Sequence, residues 1–392
     1  METGGGVTMN LDGQTSQDHG DGPSPVVSVI MANYRGARYL SVSMQAVLAQ
    51  SERRLELIVA DDASDDDSVA IARAIAAGDP RVKVIASPRN GGPAVTRNLA
   101  LDAARGDWIA VVDSDDLIHP QRLARLVQAA TAAGADIAAD DLVHFGAAER
   151  AQGRTLLQGL RLSSPMRLTL DLYLQGNAPG ADLPSFGYLK PLIRRSVLGS
   201  RRYDPALRIG EDYDLILRLL IDGASFLLLP DPLYAYRRHA GSVSHRLSVE
   251  TVGAMLAAHE ALPPIADPAA RRTAAAIGRD LRAALRYEQL VLDIKARRAG
   301  AVLPRLADPR MLKRLAGSVL DRRRRKAAEA AAGQPARVEK AAPPPMPEAG
   351  DAWSEPPADA AAGIAARAST GAPVPGPTAP NWAQWLARAA AT

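Results

Sequence analysis

The chain has 392 residues, of which 47% are hydrophobic, so it is long enough for two or three domains with a sizeable core. Its 47 Lys and Arg residues nearly balance its 43 Asp and Glu residues, which argues against a dedicated nucleic-acid binder. The lack of cysteine excludes disulfides and thiolate metal sites. The sequence has no signal-peptide pattern and no run of roughly 18 apolar residues, so we expect a cytoplasmic protein without a transmembrane helix.

Four short apolar segments alternate with four segments of helical spacing in the first third of the chain. The predicted strands are "VVSVIMA", "LELIVA", "VKVIA" and "WIAVV", and the predicted helices are "ARYLSVSMQAVLAQ", "DSVAIARAIAA", "GPAVTRNLALDAA" and "PQRLARLVQAATAAG". Apolar strands that alternate with helices are typical of βαβ units, in which a parallel sheet is covered on both faces. The sequence therefore predicts an α/β fold with a Rossmann-like, mostly parallel sheet flanked by helices.

The remainder of the chain varies in composition. The pattern is irregular over residues 136–205. After it, "EDYDLILRLLIDG" predicts a helix, and "SFLLLP" and "LYAYRRH" predict two short strands. We expect one folded domain over 26–247 and a basic helical extension over 248–330. The leader, 1–25, and the Pro- and Ala-rich tail, 331–392, are expected to be disordered apart from a short terminal helix.

Acidic clusters follow two of the predicted strands. Asp61 and Asp62 end the second strand, and Asp113, Ser114 and Asp115 end the fourth. Either cluster alone is also typical of ordinary turns and helix caps. Ligands of an open parallel sheet bind beyond the carboxyl ends of its strands, and close carboxylates repel unless they are compensated. The two clusters together, with "RNGGPAVTRN" between them, therefore indicate a site for a hard cation such as Mg²⁺ or Mn²⁺ and a substrate diphosphate.

Five ordered segments resemble the inverting glycosyltransferase family 2: "VSVIMANYRGARYL", "VLAQS", "LELIVADDASDD", "SPRNGGPAVTRNLAL" and "GDWIAVVDSDD". The resemblance extends from Val26 to His245. It implies the GT-A fold, a nucleotide-sugar donor, a saccharide acceptor and a divalent cation, Mg²⁺ or Mn²⁺. The segments "SVIMANY" and "ADDLVHF" further resemble bacterial exopolysaccharide transferases of the succinoglycan type, which implies glucose from UDP-glucose and a lipid-linked oligosaccharide acceptor.

The resemblance also implies roles for individual residues. Asp212 is the expected base that takes the acceptor proton, and Glu211 beside it is the second catalytic candidate. Asp115 is the expected main metal ligand, with Asp113 and His239 as further ligands. The implied donor-binding residues are Ala32, Tyr34, Asp61, Asp62, Arg97, Asp113, Ser114 and His239.

Three positions at the border of the implied donor pocket depart from the family pattern. Ala32 replaces the usual Pro, Arg35 stands where Asn is frequent, and Thr96 stands where Ala is usual. These departures bear on donor choice and leave the acidic residues intact. Glu211 and Asp212 also begin a predicted helix, where carboxylates favour the positive end of the helix dipole, so capping is their alternative role.

Other functions stay open beside this one. A catalytically inactive homologue that binds glycans or nucleotide sugars would share the fold, and a transferase could act on a lipopolysaccharide or protein acceptor. A phosphoacceptor receiver domain is disfavoured, because "NGGPAVTRN" and "GEDYDLILR" have no place in it. A nucleotidyltransferase is disfavoured because "MANYRGARYL" lacks a Gly-rich loop.

The basic extension suggests a membrane contact. The run from Arg322 to Lys326 follows the apolar "LAGSVL", and basic amphipathic helices bind anionic lipid surfaces. Trp382 and Trp385 in the tail are candidates for a second interfacial contact. We therefore expect a peripheral location at the inner face of the cytoplasmic membrane, the alternative being a solvated charged face.

Overall fold

The structure is a computed structural model, and it describes residues 25–146, 155–178, 180–238, 248–307, 311–312 and 315–316. The two ends that were expected to be disordered, the basic run after residue 321 and His239 lie outside the described residues.

The predicted strands and helices of the first third of the chain are present. The strands are β1 (Val27–Asn33), β2 (Leu55–Asp61), β3 (Val82–Ala86), β4 (Trp108–Val111), β5 (Leu117–Ile118), β6 (Ile137–Gly146), β7 (Met166–Leu168), β8 (Leu192–Arg194) and β9 (Phe226–Arg238). The helices are α1 (Leu40–Leu48), α2 (Ser68–Gly78), α3 (Pro93–Asp102), α4 (Arg122–Ala132), α5 (Leu170–Asn177), α6 (Arg195–Leu198), α7 (Glu211–Ile221), α8 (Val249–Glu260), α9 (Pro268–Lys295) and α10 (Ala299–Leu306).

These strands form one sheet within the described part of the chain, in the order β3-β2-β1-β4-β8-β6-β9-β5, with β7 also paired to β9. The first four strands of this order are parallel, as predicted. Beyond β4 the sheet is mixed, since β8 is antiparallel to both β4 and β6, while β6 and β9 are parallel to each other. The α/β fold class with a central sheet between helices is confirmed.

The region that the sequence pattern left irregular supplies β6, β7 and β8. The two strands predicted after α7 are one continuous strand, β9, that passes through Pro230 and Pro232. Proline cannot donate to a strand ladder. The partner strand adjusts by shifting its register around Asp141, which lies opposite Pro232.

Two apolar layers cover the sheet. Alternate residues of β1 belong to different layers: Val29 and Met31 pack with α1, α2 and α4, whereas Ile30 packs with α3, α5, α7 and α9. All seven residues of β2 are buried, as expected for a central parallel strand. The carboxyl ends of β1, β2 and β4 therefore meet at one edge of the sheet, where the acidic clusters lie.

The antiparallel strand β8 adds a new segment to that edge. Ala110 of β4 pairs with Leu192 of β8, and the backbone N–H of Val111 donates to the carbonyl of Pro191. Because β8 runs opposite to β4, the residues just before β8 lie beside the end of β4. The chain thereby brings Lys190 next to the acidic turn that follows β4.

Helix α8 begins at Val249 and is followed by α9 and α10. Helix α9 packs against α5, α8 and α10, so the extension is attached to the α7 side of the sheet. Every helix in the described ranges is either too short or too polar to cross a bilayer. The division of the chain into a domain over 26–247 and an extension over 248–330 stays a prediction.

Candidate active site

Two buried cations and three acidic side chains meet at the carboxyl edge of the sheet. Arg97 contacts Glu211 at 2.5 Å, Asp113 at 2.8 Å and Asp212 at 3.4 Å. Lys190 Nζ lies 2.8 Å from Asp113 and 2.9 Å from Asp212. Both cations thus join the turn after β4 to the start of α7. We call these five residues the charge cluster.

The sequence pattern "RNGGPAVTRN" explains how Arg97 reaches the cluster. Helix α3 starts at Pro93, a residue suited to the first helical position, and Gly92 before it has a φ of 86° that favours glycine. Both oxygens of Asp62 accept backbone N–H groups of this loop, from Gly91 at 2.7 Å and from Gly92 at 2.9 Å. Asp62, which follows β2, therefore fixes the start of the helix that carries Arg97.

Asp113 is fixed by the turn that follows β4. Its backbone N–H donates to the hydroxyl of Tyr234 on β9 at 3.1 Å. The same hydroxyl donates to Asp116 at 2.7 Å, and the backbone N–H of Arg237 donates to the other oxygen of Asp116. Asp116 is buried within this network. Burial and the two acidic neighbours Asp113 and Asp115 raise the pKa of Asp116 well above its ordinary value.

A buried ion pair in the core fixes the backbone of Lys190. Arg122 is fully buried and donates to Asp140 at 2.8 Å, and it also donates to the backbone carbonyl of Lys190. The guanidinium of Arg122 lies 4.9 Å from the ring centroid of Tyr234. Because Tyr234 holds Asp113, one buried arginine supports both partners of the Lys190–Asp113 ion pair.

The acidic pair Glu211 and Asp212 occupies the first turn of α7. Gly210 precedes the helix in a left-handed conformation, with a φ of 84°. Carboxylates are favourable at this end of a helix, so the capping role and the cluster role coexist. Their side chains also pair with Arg97, so the two residues form part of a site.

Electrostatics keep the ion pair of Lys190 and Asp113 charged. Burial alone would lower the pKa of Lys190, but Asp113 and Asp212 outweigh it and hold that pKa well above its ordinary value. Burial alone would raise the pKa of Asp113, but Lys190 and Arg97 outweigh it and hold that pKa below its ordinary value. Burial raises the pKa of Glu211, with Arg97 opposing the shift. Asp113 and Lys190 are therefore ionised near neutral pH.

The other predicted donor residues surround the cluster. Asp61 is buried and accepts hydrogen bonds from Asn33 at 2.7 Å and from the backbone and hydroxyl of Ser64. Tyr34 is 47% exposed, with the Arg35 guanidinium 5.2 Å from its ring centroid. Asp61 thus shapes the turn after β2, whereas the ring of Tyr34 faces solvent.

Ala32 and Ser114 line the same edge. Ala32 lies in β1 and pairs with Ala60 of β2. The hydroxyl of Ser114 lies 3.3 Å from the position that a Cβ on Gly36 would take. The structure therefore brings the turns after β1, β2 and β4 together as predicted. The roles of the individual residues in donor binding stay predictions.

The chemistry of the turn after β4 fits a hard divalent cation with few protein ligands. Asp115 is half-buried on this turn, and its backbone carbonyl accepts a hydrogen bond from Arg237 at 2.6 Å. Within the described ranges, no three acidic or histidine side chains converge as a metal cage. Mg²⁺ commonly uses one or two carboxylates and completes its shell with water and substrate phosphates. Asp115 suits this mode, whereas both oxygens of Asp113 already face cations of the protein.

Lys190 is the residue of the cluster that the sequence analysis missed. It stands alone among apolar neighbours in "FGYLKPLI", and a single lysine before an apolar run is a usable signal of a buried, paired charge. The position of Lys190 in the fold could not be inferred, because the pairing of β8 with β4 was not predicted. Arg97, Asp113, Glu211 and Asp212 were all predicted, and the structure places them in contact.

Comparisons with known proteins bear on the family and the fold of the chain. The family model described as glycosyl transferase family 2 matches residues 28–196. The chain is 38% identical over 311 residues to the succinoglycan biosynthesis protein ExoO of Rhizobium meliloti (strain 1021). This match covers 78% of this chain and 88% of that protein. It is 34% identical over 226 residues to the succinoglycan biosynthesis protein ExoU of the same strain. This match covers 56% of this chain and 65% of that protein.

Among solved structures, the crystal structure of S. aureus TarS resembles this chain with a TM-score of 0.50 and 18% identity. The match covers 67% of this chain and 43% of that one. At this identity the likeness concerns the fold alone, which is the GT-A fold expected from the sequence.

Proposed function

Because the chain belongs to glycosyltransferase family 2, we propose that it transfers a hexose from a nucleotide-sugar donor to a saccharide acceptor with inversion at the anomeric carbon. One observation carries this proposal: Lys190 and Arg97 join Asp113, at the end of β4, to Asp212, at the start of α7. A site with cations for a diphosphate and a carboxylate for an acceptor proton is what glycosyl transfer requires.

The proposed donor is UDP-glucose, and the proposed product is a lipid-linked oligosaccharide of an exopolysaccharide. This finer assignment is supported by the succinoglycan biosynthesis proteins ExoO and ExoU, to which the chain is similar. On the donor side, the turns after β1, β2 and β4 bind the nucleotide. Lys190 and Arg97 offset the negative charge of Asp113 and Asp212 beside the diphosphate, so that the leaving group does not face uncompensated carboxylates.

A divalent cation belongs to this donor site. Asp115 would hold it, and His239 is a further ligand predicted from the sequence. Asp113, the third predicted ligand, already has its two oxygens on Arg97 and Lys190. When bound, Mg²⁺ or Mn²⁺ supplies positive charge that offsets the charge on the leaving diphosphate.

On the acceptor side, Asp212 acts as the general base. The acceptor hydroxyl oxygen forms a bond to the anomeric carbon, the bond from that carbon to the diphosphate oxygen breaks, and the hydroxyl proton passes to Asp212. Lys190 at 2.9 Å and Arg97 at 3.4 Å hold the two oxygens of this carboxylate and leave a lone pair on each for the proton. A single displacement converts an α-linked donor into a β-linked product.

A donor screen tests this function. Purified protein is incubated with a panel of nucleotide sugars and Mn²⁺, and release of the nucleoside diphosphate is measured. We expect one donor to be turned over, and Asp212→Asn to lower turnover by about 100- to 10,000-fold, the usual contribution of a general base, while donor binding is kept. Asp222→Asn at the end of α7 is the matched control, since this carboxylate pairs with the surface residue Arg201.

The same screen separates the alternative functions. Nucleotide-sugar binding without turnover of any donor would favour the catalytically inactive homologue. Absence of nucleotide binding, with and without the cation, would contradict the proposed function. Transfer to a lipopolysaccharide or a protein in place of a lipid-linked oligosaccharide would change the acceptor assignment and leave the donor chemistry intact.

We also propose a peripheral location at the inner face of the cytoplasmic membrane. The support comes from the junction of α9 and α10, where Leu292 and Leu303 are 51% and 70% exposed, and where Lys295, Arg297 and Arg298 are exposed as well. Exposed leucines among basic residues are typical of a surface that binds anionic lipid.

Sedimentation with lipid vesicles tests this location. We expect the protein to sediment with vesicles that contain phosphatidylserine and to stay in solution with phosphatidylcholine vesicles alone. Leu303→Glu should weaken the association. Equal sedimentation of wild type and variant, or no sedimentation with anionic vesicles, would contradict the proposal.

A further inference from the structure

We propose that Tyr188 and Tyr236 form a stacking site for the terminal sugar ring of the acceptor. The inference rests on the proposed function and extends it to the acceptor, whose binding residues the sequence motifs do not reveal. Tyr188 is 38% exposed, its ring centroid lies 6.4 Å from that of Tyr236, and the two ring planes are 84° apart. The two rings thus form a corner at the surface.

The corner is rigid on both sides. Tyr188 ends a short turn, Phe186–Tyr188, whose first residue is buried against the ring of Tyr173. Tyr236 lies in β9 opposite His144 of β6, and these two rings are also perpendicular, with centroids 5.6 Å apart. A binding surface fixed by a buried anchor and a sheet loses little conformational entropy when a ligand stacks on it.

The turn that carries Tyr188 lies against helix α7, which carries the proposed base. A Cβ on Gly187 would come within 3.2 Å of the Cβ of Tyr213, which follows Asp212 on α7. Two residues after Tyr188, Lys190 contacts Asp212 directly. The residue before Tyr188 thus approaches the residue after the proposed base, and the lysine two residues after Tyr188 contacts the base itself.

The second ring is joined to the cation-binding turn. Tyr236 is followed by Arg237, whose backbone N–H donates to Asp116 at 2.7 Å and whose guanidinium donates to the carbonyl of Asp115 at 2.6 Å. The corner is thus joined through the chain to the turn proposed to hold the diphosphate and to the residues that contact the base. The proposal therefore places the terminal sugar of the acceptor at this corner.

The chemistry of an aromatic corner matches a pyranose ring. The C–H groups on one face of a pyranose are weakly positive and apolar, and they pack on the electron-rich face of a phenol ring. The neighbouring hydroxyls stay in water or bind to polar groups at the rim. A charged nucleotide would instead need the cations of the cluster, so the corner suits a neutral sugar of the acceptor.

Kinetics with octyl β-glucoside and octyl β-galactoside as probe acceptors test the site. In Tyr188→Ala we expect kcat/KM for transfer to the preferred glycoside to fall by about tenfold or more, mainly through a higher acceptor KM. The KM for the nucleotide sugar and the slow hydrolysis of the donor in the absence of acceptor should stay within about twofold of wild type. Tyr188→Phe and Tyr188→Trp should restore transfer, because stacking needs the ring and not the hydroxyl.

The outcomes distinguish this site from the proposed function itself. Unchanged acceptor kinetics in Tyr188→Ala would overturn the stacking site while donor turnover still supports the transferase. A rise in donor KM with unchanged acceptor KM would also overturn it, because the ring would then bind the donor. Parallel loss of donor hydrolysis and transfer in Tyr188→Ala, without rescue by Tyr188→Phe, would show a structural role only. Donor turnover absent from the wild-type protein would refute the proposed function.

Discussion

Replacing Lys190 with methionine removes one cation of the charge cluster and keeps the length of the side chain. In the wild-type protein its ammonium lies 2.8 Å from Asp113 and 2.9 Å from Asp212, and its side chain is only 7% exposed. In the variant, Arg97 alone faces the acidic groups. The carboxylates of Asp113 and Asp212 then repel each other across the position that the ammonium occupied.

Removing one partner of a buried ion pair costs about 3–5 kcal/mol because the opposite charge is left uncompensated. The side chains of Asp113 and Asp212 are 22% and 13% exposed, so water screens part of this repulsion. We therefore expect Lys190→Met to lower the free energy of unfolding by about 3 kcal/mol, the lower end of that range. Loss of a fixed charge from the donor site should also lower kcat by about 100- to 1,000-fold.

Urea denaturation followed by circular dichroism measures the free energy of unfolding. Turnover of the donor found in the screen measures kcat. Lys83→Met is the matched control, because Lys83 is an exposed lysine on β3 of the same sheet. An exposed lysine should change the free energy of unfolding by less than about 0.5 kcal/mol. Adding Asp113→Asn to Lys190→Met removes one of the two repelling carboxylates, so the double variant should be more stable than additivity predicts, by about 1–3 kcal/mol.

Two results would refute this reasoning about Lys190. Wild-type stability in Lys190→Met would mean that the ammonium does not hold the two carboxylates. Additive losses in the double variant would mean that Lys190 and Asp113 are not coupled.

Two further substitutions test the supports around the site. Tyr234→Phe removes the hydroxyl that accepts from the backbone of Asp113 and donates to Asp116, so the free energy of unfolding should fall by about 1–3 kcal/mol, and a loss below about 0.5 kcal/mol in urea denaturation would contradict the network. Burial, with a smaller effect of a nearby arginine, lowers the pKa of His119 to about 4, from 6.5 in the unfolded chain. Protons then bind the unfolded state first, so this residue costs stability as pH falls from 6.5 towards 4, by up to about 3 kcal/mol. His119→Asn keeps an acceptor for the N–H of Gln121 and should remove this part of the pH dependence; identical pH profiles for wild type and variant would exclude it.

The first four strands could be predicted from the sequence because their signal is local. Each is a short apolar run followed by a helix, and parallel topology then places all their carboxyl ends at one edge. The sequence alone therefore predicts that Asp113 and the end of β2 lie at the same edge. The sequence does not distinguish a carboxylate that binds a ligand from one that stabilises a loop. In the structure, the carboxylate of Asp62 accepts two backbone N–H groups of the loop before α3.

The pairing of the second half of the sheet could not be predicted from the sequence, for physical reasons. Strand β8 has only three residues, and its pairing with β4 joins segments more than 80 residues apart in the chain. Strand β9 passes through Pro230 and Pro232, which are breakers in a local pattern, and its neighbour β6 accommodates them by a register shift. Lys190 depends on this long-range pairing for its position, so no local pattern could assign it to the site.

The central claim is that one donor molecule contacts both the acidic turn after β4 and the base on α7. A crystal structure of the Asp212→Asn protein with UDP-glucose and Mn²⁺ tests it most directly. The account predicts the ion on Asp115, the diphosphate beside Lys190 and Arg97, and the anomeric carbon facing residue 212. A nucleotide bound away from this edge of the sheet, or an anomeric carbon turned away from α7, would contradict it.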